Sequence, residues 1–131
     1  MNVYLAGPIN GCTDAECNDW RAYAAERLAE QGVGVIDPMV RDYRGRELEP
    51  GIAAEIVEND KTDISGAGAM IANCPKPSVG TSMEVLFAHD LGIPVVVVHP
   101  ADLPPSPWII YHADAIVHSM ADAVAAIGAP A

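Results

Sequence analysis

Short apolar runs alternate with segments of helical periodicity along most of the chain. The apolar runs cover residues 2–6, 33–36, 68–73, 95–98 and 115–117. Turn-forming or polar residues follow each run, and this alternation predicts parallel strands joined by helical crossovers. The unbroken valine run at 95–98 is typical of a strand covered on both faces. We therefore expect one α/β domain over residues 1–131, built as a doubly wound, mostly parallel five-stranded sheet flanked by helices.

Capping residues and prolines mark the expected helix boundaries. The Thr13-x-x-Glu16 pattern is a capping box that starts a first helix. Pro50 suits the first position of a second helix, and a third is expected over residues 81–91. Ser119 is expected to cap a C-terminal helix. Helices would then follow all the strands but the fourth, after which the sequence predicts a proline-rich loop.

Polar segments follow the strands, at the edge of the sheet where doubly wound proteins bind their ligands. They cover residues 7–11, 41–46, 73–82 and 99–106. The spacing of Gly7 and Gly11 matches neither a dinucleotide fingerprint nor a phosphate-binding Walker loop. Any catalytic or binding role must therefore rest on individual side chains of these segments.

Glu84 is the first candidate. Glycine and hydroxyl residues of the segment 77–84 lead into a predicted helix N-terminus, which suits an anion or a sugar hydroxyl. A first-turn Glu84 would be held ionised by the helix dipole, as a nucleophile at a sugar carbon must be. The alternative is structural, because Thr81-x-x-Glu84 is also a capping box. Periodicity alone leaves both interpretations open.

The second candidate is an acidic run on the helix before the third strand. It comprises Glu55, Glu58, Asp60 and Asp63. Spacings of three to five residues place some of these carboxylates on one face, where one could meet Glu84. Two carboxylates around a sugar can take separate catalytic roles, because one attacks the sugar carbon and the other assists the leaving group. The alternative is a solvated helix face.

Composition narrows the function classes. Eighteen acidic residues against seven basic ones give a formal net charge of −11, which argues against a nucleic acid polymer or an anionic membrane as partner. Cys12, Cys17 and Cys74 match no metal or disulfide spacing, and the four histidines are dispersed. No window approaches a membrane span. We therefore expect a reduced, cytoplasmic protein without a metal.

Three motifs together resemble the nucleoside 2-deoxyribosyltransferase family, which includes the related deoxynucleoside 5'-monophosphate N-glycosidases. They are Tyr4-Leu5-Ala6-Gly7-Pro8-Ile9, Asp60-Lys61-Thr62-Asp63-Ile64 and Pro77-Ser78-Val79-Gly80-Thr81-Ser82-Met83-Glu84. The resemblance implies a Rossmann-like or flavodoxin-like fold and cleavage of the bond between base and sugar through a covalent glycosyl–Glu intermediate. The sugar would pass to another base or to water. The resemblance also implies no cofactor, a nucleoside or nucleotide substrate, and a homo-oligomer with a shared active site.

The resemblance assigns roles to three catalytic positions. Glu84 matches the nucleophile, Asp60 the carboxylate that helps the base leave, and Tyr4 the tyrosine that orients the nucleophile.

The motifs and the polar segments after the strands together give the expected substrate-binding residues: Gly7, Ile9, Asn10, Arg44, Asp63, Ser78, Gly80, Ser82 and Ser106. Ser78 matches a serine that binds phosphate in the monophosphate hydrolases, where the nucleoside transferases carry an acid. Ser106 falls where a neighbouring subunit offers a second serine. Asn10 stands where some phosphate-binding members have arginine, and Arg44 is the expected replacement cation.

Two hypotheses of other classes accompany the enzyme. A non-catalytic nucleotide-binding or sensing module would hold its ligand with residues 78–82 and Arg44, while Glu84 only caps its helix. An acidic interaction protein would bind no small ligand. Ligand binding without product distinguishes the first from an enzyme, and the absence of stabilisation by nucleosides or nucleotides distinguishes the second.

Overall fold

A computed structural model describes residues 1–129 as a parallel sheet with helices on both faces. The strands are β1 (Asn2–Ala6), β2 (Gly34–Ile36), β3 (Ala69–Asn73), β4 (Val95–Val98) and β5 (Ala115–Val117). Their order is β2-β1-β3-β4-β5, and every neighbouring pair is parallel. The predicted doubly wound α/β fold is confirmed. The chain changes direction across the sheet between β1 and β3, and such a switch point opens a crevice for ligands.

Alternate residues of the central strands feed two cores. Tyr4 and Met70 pack on one face against helical residues such as Val85, whereas Leu5 and Ile71 pack on the other. All five residues are fully buried or nearly so. This arrangement places the side chain of Tyr4, in the middle of β1, on the same side of the sheet as the helix that carries Glu84.

The helices are α1 (Asp14–Ala29), α2 (Ile52–Ser65), α3 (Val79–Asp90), α4 (Pro107–His112) and α5 (Met120–Gly128). The capping box of α1 and the serine cap of α5 are both confirmed. The expected start of the second helix at Pro50 is wrong, because α2 begins at Ile52 after Gly51, which has a φ of 83°. No helix in residues 1–129 is both long enough and apolar enough to cross a membrane.

Two short helices were not expected from periodicity. One is α4, and the other is a 3-10 helix over Pro38–Val40. Each begins with a polar cap and a proline, Asp37-Pro38 and Ser106-Pro107, which is a start signal that does not need a long apolar repeat. The 3-10 helix matters for the site because it leads from β2 to Arg41.

The start of α3 corrects the local interpretation of Glu84. Ser78 caps this helix, and its hydroxyl accepts a hydrogen bond from the Thr81 amide at 3.3 Å. Glu84 is consequently the sixth residue of α3, and the first turn carries no acid. The Thr81-x-x-Glu84 capping box is wrong, and so is the expectation that the helix dipole keeps Glu84 ionised, since that effect fades beyond the first turn.

Candidate active site

Glu84 and Tyr4 form a hydrogen-bonded pair beside the switch point. The Tyr4 hydroxyl donates to Oε2 of Glu84 over 2.5 Å, between residues 80 positions apart in sequence. Burial raises the pKa of Glu84 to about 8, while the hydrogen bond from Tyr4 lowers it. The pKa of Tyr4 is raised by burial and then by the charges of Glu84 and Asp60. Tyr4 therefore stays protonated and is a fixed donor to the carboxyl.

Asp60 and Asp63 share one cation. Both project from α2 toward Arg41, whose Nη2 lies 3.9 Å from Oδ1 of Asp60 and forms a close ion pair with Asp63. Burial raises the pKa of Asp60, the charge of Arg41 lowers it, and Asp63 raises it again. The two aspartates are thus coupled through Arg41. Residues 1–129 contain no group of three or more His, Cys, Asp or Glu side chains placed to hold a metal ion.

A cavity of about 370 Å³ lies at the carboxyl ends of β1 and β3. Its walls come from the loop after β1, the segment after β2, the middle of α2 and the start of α3. Eight of the residues expected from sequence line it: Gly7, Ile9, Asn10, Arg44, Asp60, Ser78, Gly80 and Glu84. The structure therefore brings the two carboxylates, Asp60 and Glu84, to one concave site.

Four expected residues lie outside this cavity wall. Tyr4 contacts the site through its hydrogen bond to Glu84 and lies close enough to Asp60 for the two to interact, whereas Asp63 is turned toward Arg41. Ser82 and Ser106 line a neighbouring cavity of about 400 Å³. Their hydroxyls are engaged locally: that of Ser82 donates to the Ser78 carbonyl at 2.9 Å, and that of Ser106 accepts from the Trp108 amide.

The cations of the cavity are arranged differently from the expectation. Arg44 contacts Asp42 and Asp14, at 2.8 and 2.6 Å, and donates to the Cys12 carbonyl. Its charge is therefore already balanced. Lys76 also lines the cavity and forms no ion pair within residues 1–129, although its charge acts on Glu16 of α1.

The other residues that line the cavity were not among the expected site residues; they are Pro8, Pro38, Arg41, Tyr43, Ile56, Lys76, Pro77, Val79 and Thr81. Lys76 had a usable signal, because it is the one cation in the segment 73–82 that follows β3. Arg41 had only its place in an arginine-containing loop, and its pairing with α2 depends on the tertiary fold.

Gly7 is required by packing. A Cβ atom on Gly7 would lie 2.5 Å from Cζ2 of Trp20, a distance that real side chains do not adopt. The indole of Trp20 therefore occupies the space next to the Gly7 backbone. The role implied by the resemblance, access of substrate to this loop, stays a prediction.

These features define a doubly wound protein with paired carboxylates at its switch point, and comparison with known proteins gives the family. The family model for nucleoside 2-deoxyribosyltransferases matches residues 3–104, most of the chain. The chain therefore belongs to the nucleoside 2-deoxyribosyltransferase family, as its motifs suggested. It is an enzyme of the class that cleaves the bond between a sugar and a base.

Individual relatives agree with this assignment. The protein named "Putative 2'-deoxynucleoside 5'-phosphate N-hydrolase 1" of Methanococcoides burtonii is 30% identical over 103 residues, which is 78% of this chain and 83% of that one. A 2-deoxyribosyltransferase of Bacillus psychrosaccharolyticus is 22% identical with a TM-score of 0.73, covering 95% of this chain and 90% of its own. A CMP N-glycosidase of Clostridium botulinum is 16% identical with a TM-score of 0.66, covering 98% and 100%. The two structural likenesses support the fold.

Proposed function

We propose that the protein cleaves the N-glycosidic bond of a 2'-deoxynucleoside or its 5'-monophosphate through a covalent deoxyribosyl–Glu84 intermediate. The observation that carries this proposal is the Tyr4–Glu84 hydrogen bond next to Asp60 in one cavity. A nucleophilic carboxylate must be held in one orientation while leaving one oxygen free to attack. Tyr4 holds Oε2 of Glu84 and leaves Oε1 available.

The reaction proceeds in two displacements. Oε1 of Glu84 bonds to C1' of the sugar, and the base departs with the electron pair of the broken C–N bond. Asp60 supplies a proton or a hydrogen bond to the departing base, a role that its raised pKa favours because it retains a proton more readily. Water or a second base then attacks C1' and gives up a proton to Asp60, while the C1'–Oε1 bond breaks and its electron pair restores the Glu84 carboxylate. Two inversions retain the configuration at C1'.

The electrostatics of the cavity suit this chemistry. Positive charge develops on the sugar as the C–N bond breaks, and carboxylates nearby stabilise that charge. Burial disfavours a charged Glu84 before substrate enters, since its pKa is about 8. The positive charge that develops on the sugar offsets the cost of burying the Glu84 carboxylate. The ionised Glu84 is therefore stabilised more in the transition state than in the free enzyme.

The monophosphate form of the substrate has its own support. The Methanococcoides burtonii relative is named for activity on 5'-phosphates. Here Lys76 lines the cavity together with Ser78, Gly80 and Thr81 at the start of α3. We propose that Lys76 provides the cation for a 5'-phosphate, in place of Arg44, whose charge Asp14 and Asp42 already balance.

Product analysis tests the proposed function. The protein is incubated with paired deoxynucleosides and deoxynucleoside 5'-monophosphates, with and without a second free base, and the products are separated by chromatography. We expect released base, or an exchanged nucleoside when the second base is present, and the two products distinguish hydrolysis from transfer. No released or exchanged base from any pair, beside an active control enzyme, would reject the proposal. Binding without product would then favour the sensing module.

We also propose that the protein is a homo-oligomer formed through an apolar surface of α3 and α4. Five exposed side chains form this surface: Met83, Leu86, Trp108, Ile110 and Tyr111. The ring of Tyr111 lies 5.6 Å from that of His89, one turn beyond Leu86, which joins the two helices into one face. A second copy is the occupant we favour, because two acidic chains can approach only where each lacks charge. The surface adjoins the cavity that Ser106 lines.

Trp108→Asp is expected to convert the oligomer to monomer, because it places a carboxylate in the middle of an apolar interface. Light scattering coupled to size-exclusion chromatography measures the mass of each variant. Leu48→Asp is the matched control, since Leu48 is fully exposed on the loop before α2 and should leave the mass unchanged. A wild-type protein that is monomeric at high concentration would contradict the proposal.

A further inference from the structure

Arg21 is a buried cation that the proposed reaction does not yet use. It lies in α1, and only 1% of the residue is exposed. Burial lowers its pKa, while the nearby charge of Asp37 raises it. Burying a guanidinium costs free energy unless its donors are paired. The partners of Arg21 therefore indicate its structural role.

Three of these partners are backbone carbonyls, two of them at the end of β1 and one in α1 itself. Nη2 of Arg21 donates to the Gly7 carbonyl at 3.1 Å and Nε to the Leu5 carbonyl at 3.4 Å, while Nη1 donates to the carbonyl of Cys17 in α1 at 2.7 Å. Leu5 belongs to β1, and Gly7 begins the loop that lines the cavity. The planar fork of the guanidinium thus fixes the exit of β1 relative to α1.

The fourth partner of Arg21 is Asp37, which belongs to the segment after β2 that also lines the cavity. Oδ1 of Asp37, directly after β2, lies 3.6 Å from Nε of Arg21. The same oxygen accepts a hydrogen bond from the Met39 amide at 2.8 Å and so caps the 3-10 helix that leads to Arg41. One buried side chain therefore connects the segments after β1 and β2, and both segments line the cavity.

The ring of Trp20 packs against both Arg21 and Gly7. The guanidinium carbon of Arg21 lies 4.5 Å from the centroid of the Trp20 ring, and the same indole fills the space that a Cβ atom on Gly7 would need. The cation is stacked on an aromatic face as well as hydrogen-bonded. A lysine has one point charge and no planar fork, so it can retain the charge of Arg21 but not this set of contacts.

Charge links Arg21 to the reacting groups. The groups that act on Glu84 are Tyr4 from β1, Asp60 from α2 and Arg21 from α1. Tyr4 and Arg21 lower the pKa of Glu84, and Asp60 raises it. Arg21 is therefore the one cation among these three influences, on a carboxyl that burial makes hard to ionise.

We propose that Arg21 is a positioning residue that fixes the two walls of the cavity and supplies the buried positive charge that favours the Glu84 carboxylate. The proposal rests on the nucleophilic role of Glu84, which belongs to the proposed function. It predicts two separable effects, one on the geometry of the walls and one on the ionisation of Glu84.

Two substitutions separate the effects. Arg27→Met on the same helix is the control, because the contacts of the Arg27 guanidinium, with Glu26, Glu30 and the ring of Tyr23, all lie at the surface and away from the cavity. Arg21→Met removes charge and fork together, whereas Arg21→Lys removes the fork and keeps the charge. The ionisation of Glu84 is followed in the free protein by carbon-13 NMR of labelled glutamate carboxyls. The Glu84 signal is assigned by its loss in Glu84→Gln.

In Arg21→Met the midpoint of the Glu84 titration should rise by about one pH unit, with no change in Arg27→Met. In Arg21→Lys the midpoint should stay near that of the wild type, while KM rises about tenfold because the walls are no longer fixed. A folded Arg21→Met with an unchanged midpoint would overturn the charge effect. If Arg21→Met does not fold, Arg21→Lys decides: an unchanged KM, or a raised midpoint, overturns the proposal. The titration needs no turnover, so an inactive wild type would reject the proposed function separately.

Discussion

Glu84→Gln is expected to lower base release by a factor of about 10⁴ or more, because the amide cannot form the ester at C1'. The amide still accepts a hydrogen bond from Tyr4, so the fold should be retained. Steady-state rates with a deoxynucleoside and its monophosphate measure the loss, and circular dichroism checks the fold. Glu58→Gln is the matched control, since Glu58 is an exposed carboxylate of the acidic run on α2. A Glu84→Gln enzyme with near wild-type turnover would exclude the covalent role.

The same variant has a stability signature with a definite sign. The pKa of Glu84 is raised from 4.5 to about 8 in the folded protein, so the folded state holds a proton that the unfolded state releases between these values. The contribution of Glu84 to the free energy of unfolding therefore falls as pH rises from about 5 to about 8. Glu84→Gln lacks this loss, and its Tm should exceed that of the wild type by roughly 3–8 °C at pH 8.5 and by little at pH 5.

The sheet was predictable because each strand has a continuous apolar signal and each boundary has a residue that ends it. Strand Val95–Val98 is the clearest case, since four valines in a row suit a strand with both faces covered. The start of α3 was harder, because two capping patterns overlap around Ser78 and Thr81. Serine at 78 takes the cap, and this choice moves Glu84 into the second turn. Burial against Tyr4, and not the helix dipole, then sets its ionisation.

The ion pairs around the site could not be predicted from sequence, because most of them join residues that are far apart along the chain. Arg41 and Asp63 are 22 residues apart, and only the approach of the β2–α2 segment to α2 brings them together. Arg44 was expected to face a phosphate, yet Asp14 on α1 and Asp42 in its own loop hold it. Arg21 looks in sequence like any polar residue of an amphipathic helix. Its burial follows from the position of its side chain beneath the end of β1.

Asp60→Asn is expected to lower kcat by a factor of about 10² to 10³, because the departing base loses the carboxyl that hands it a proton. Asp63→Asn is the matched control: it lies on the same helix and shares Arg41, but it does not line the cavity. We expect less than about a tenfold effect there. The comparison separates direct assistance to the base from the general effect of removing one acid beside Arg41.

A substrate whose base leaves without proton assistance distinguishes the role of Asp60 from that of Glu84. With such an activated leaving group, Asp60→Asn should recover most of its rate, since the step that Asp60 assists is no longer limiting. Glu84→Gln should recover nothing, because its missing bond is the one to C1'. Equal losses for Asp60→Asn with ordinary and activated substrates would mean that Asp60 binds the substrate or supports Arg41 without assisting departure. If the activated substrate restores the rate of Asp60→Asn but not that of Glu84→Gln, then Asp60 acts on the departing base and Glu84 acts on C1', the two ends of the C–N bond that breaks.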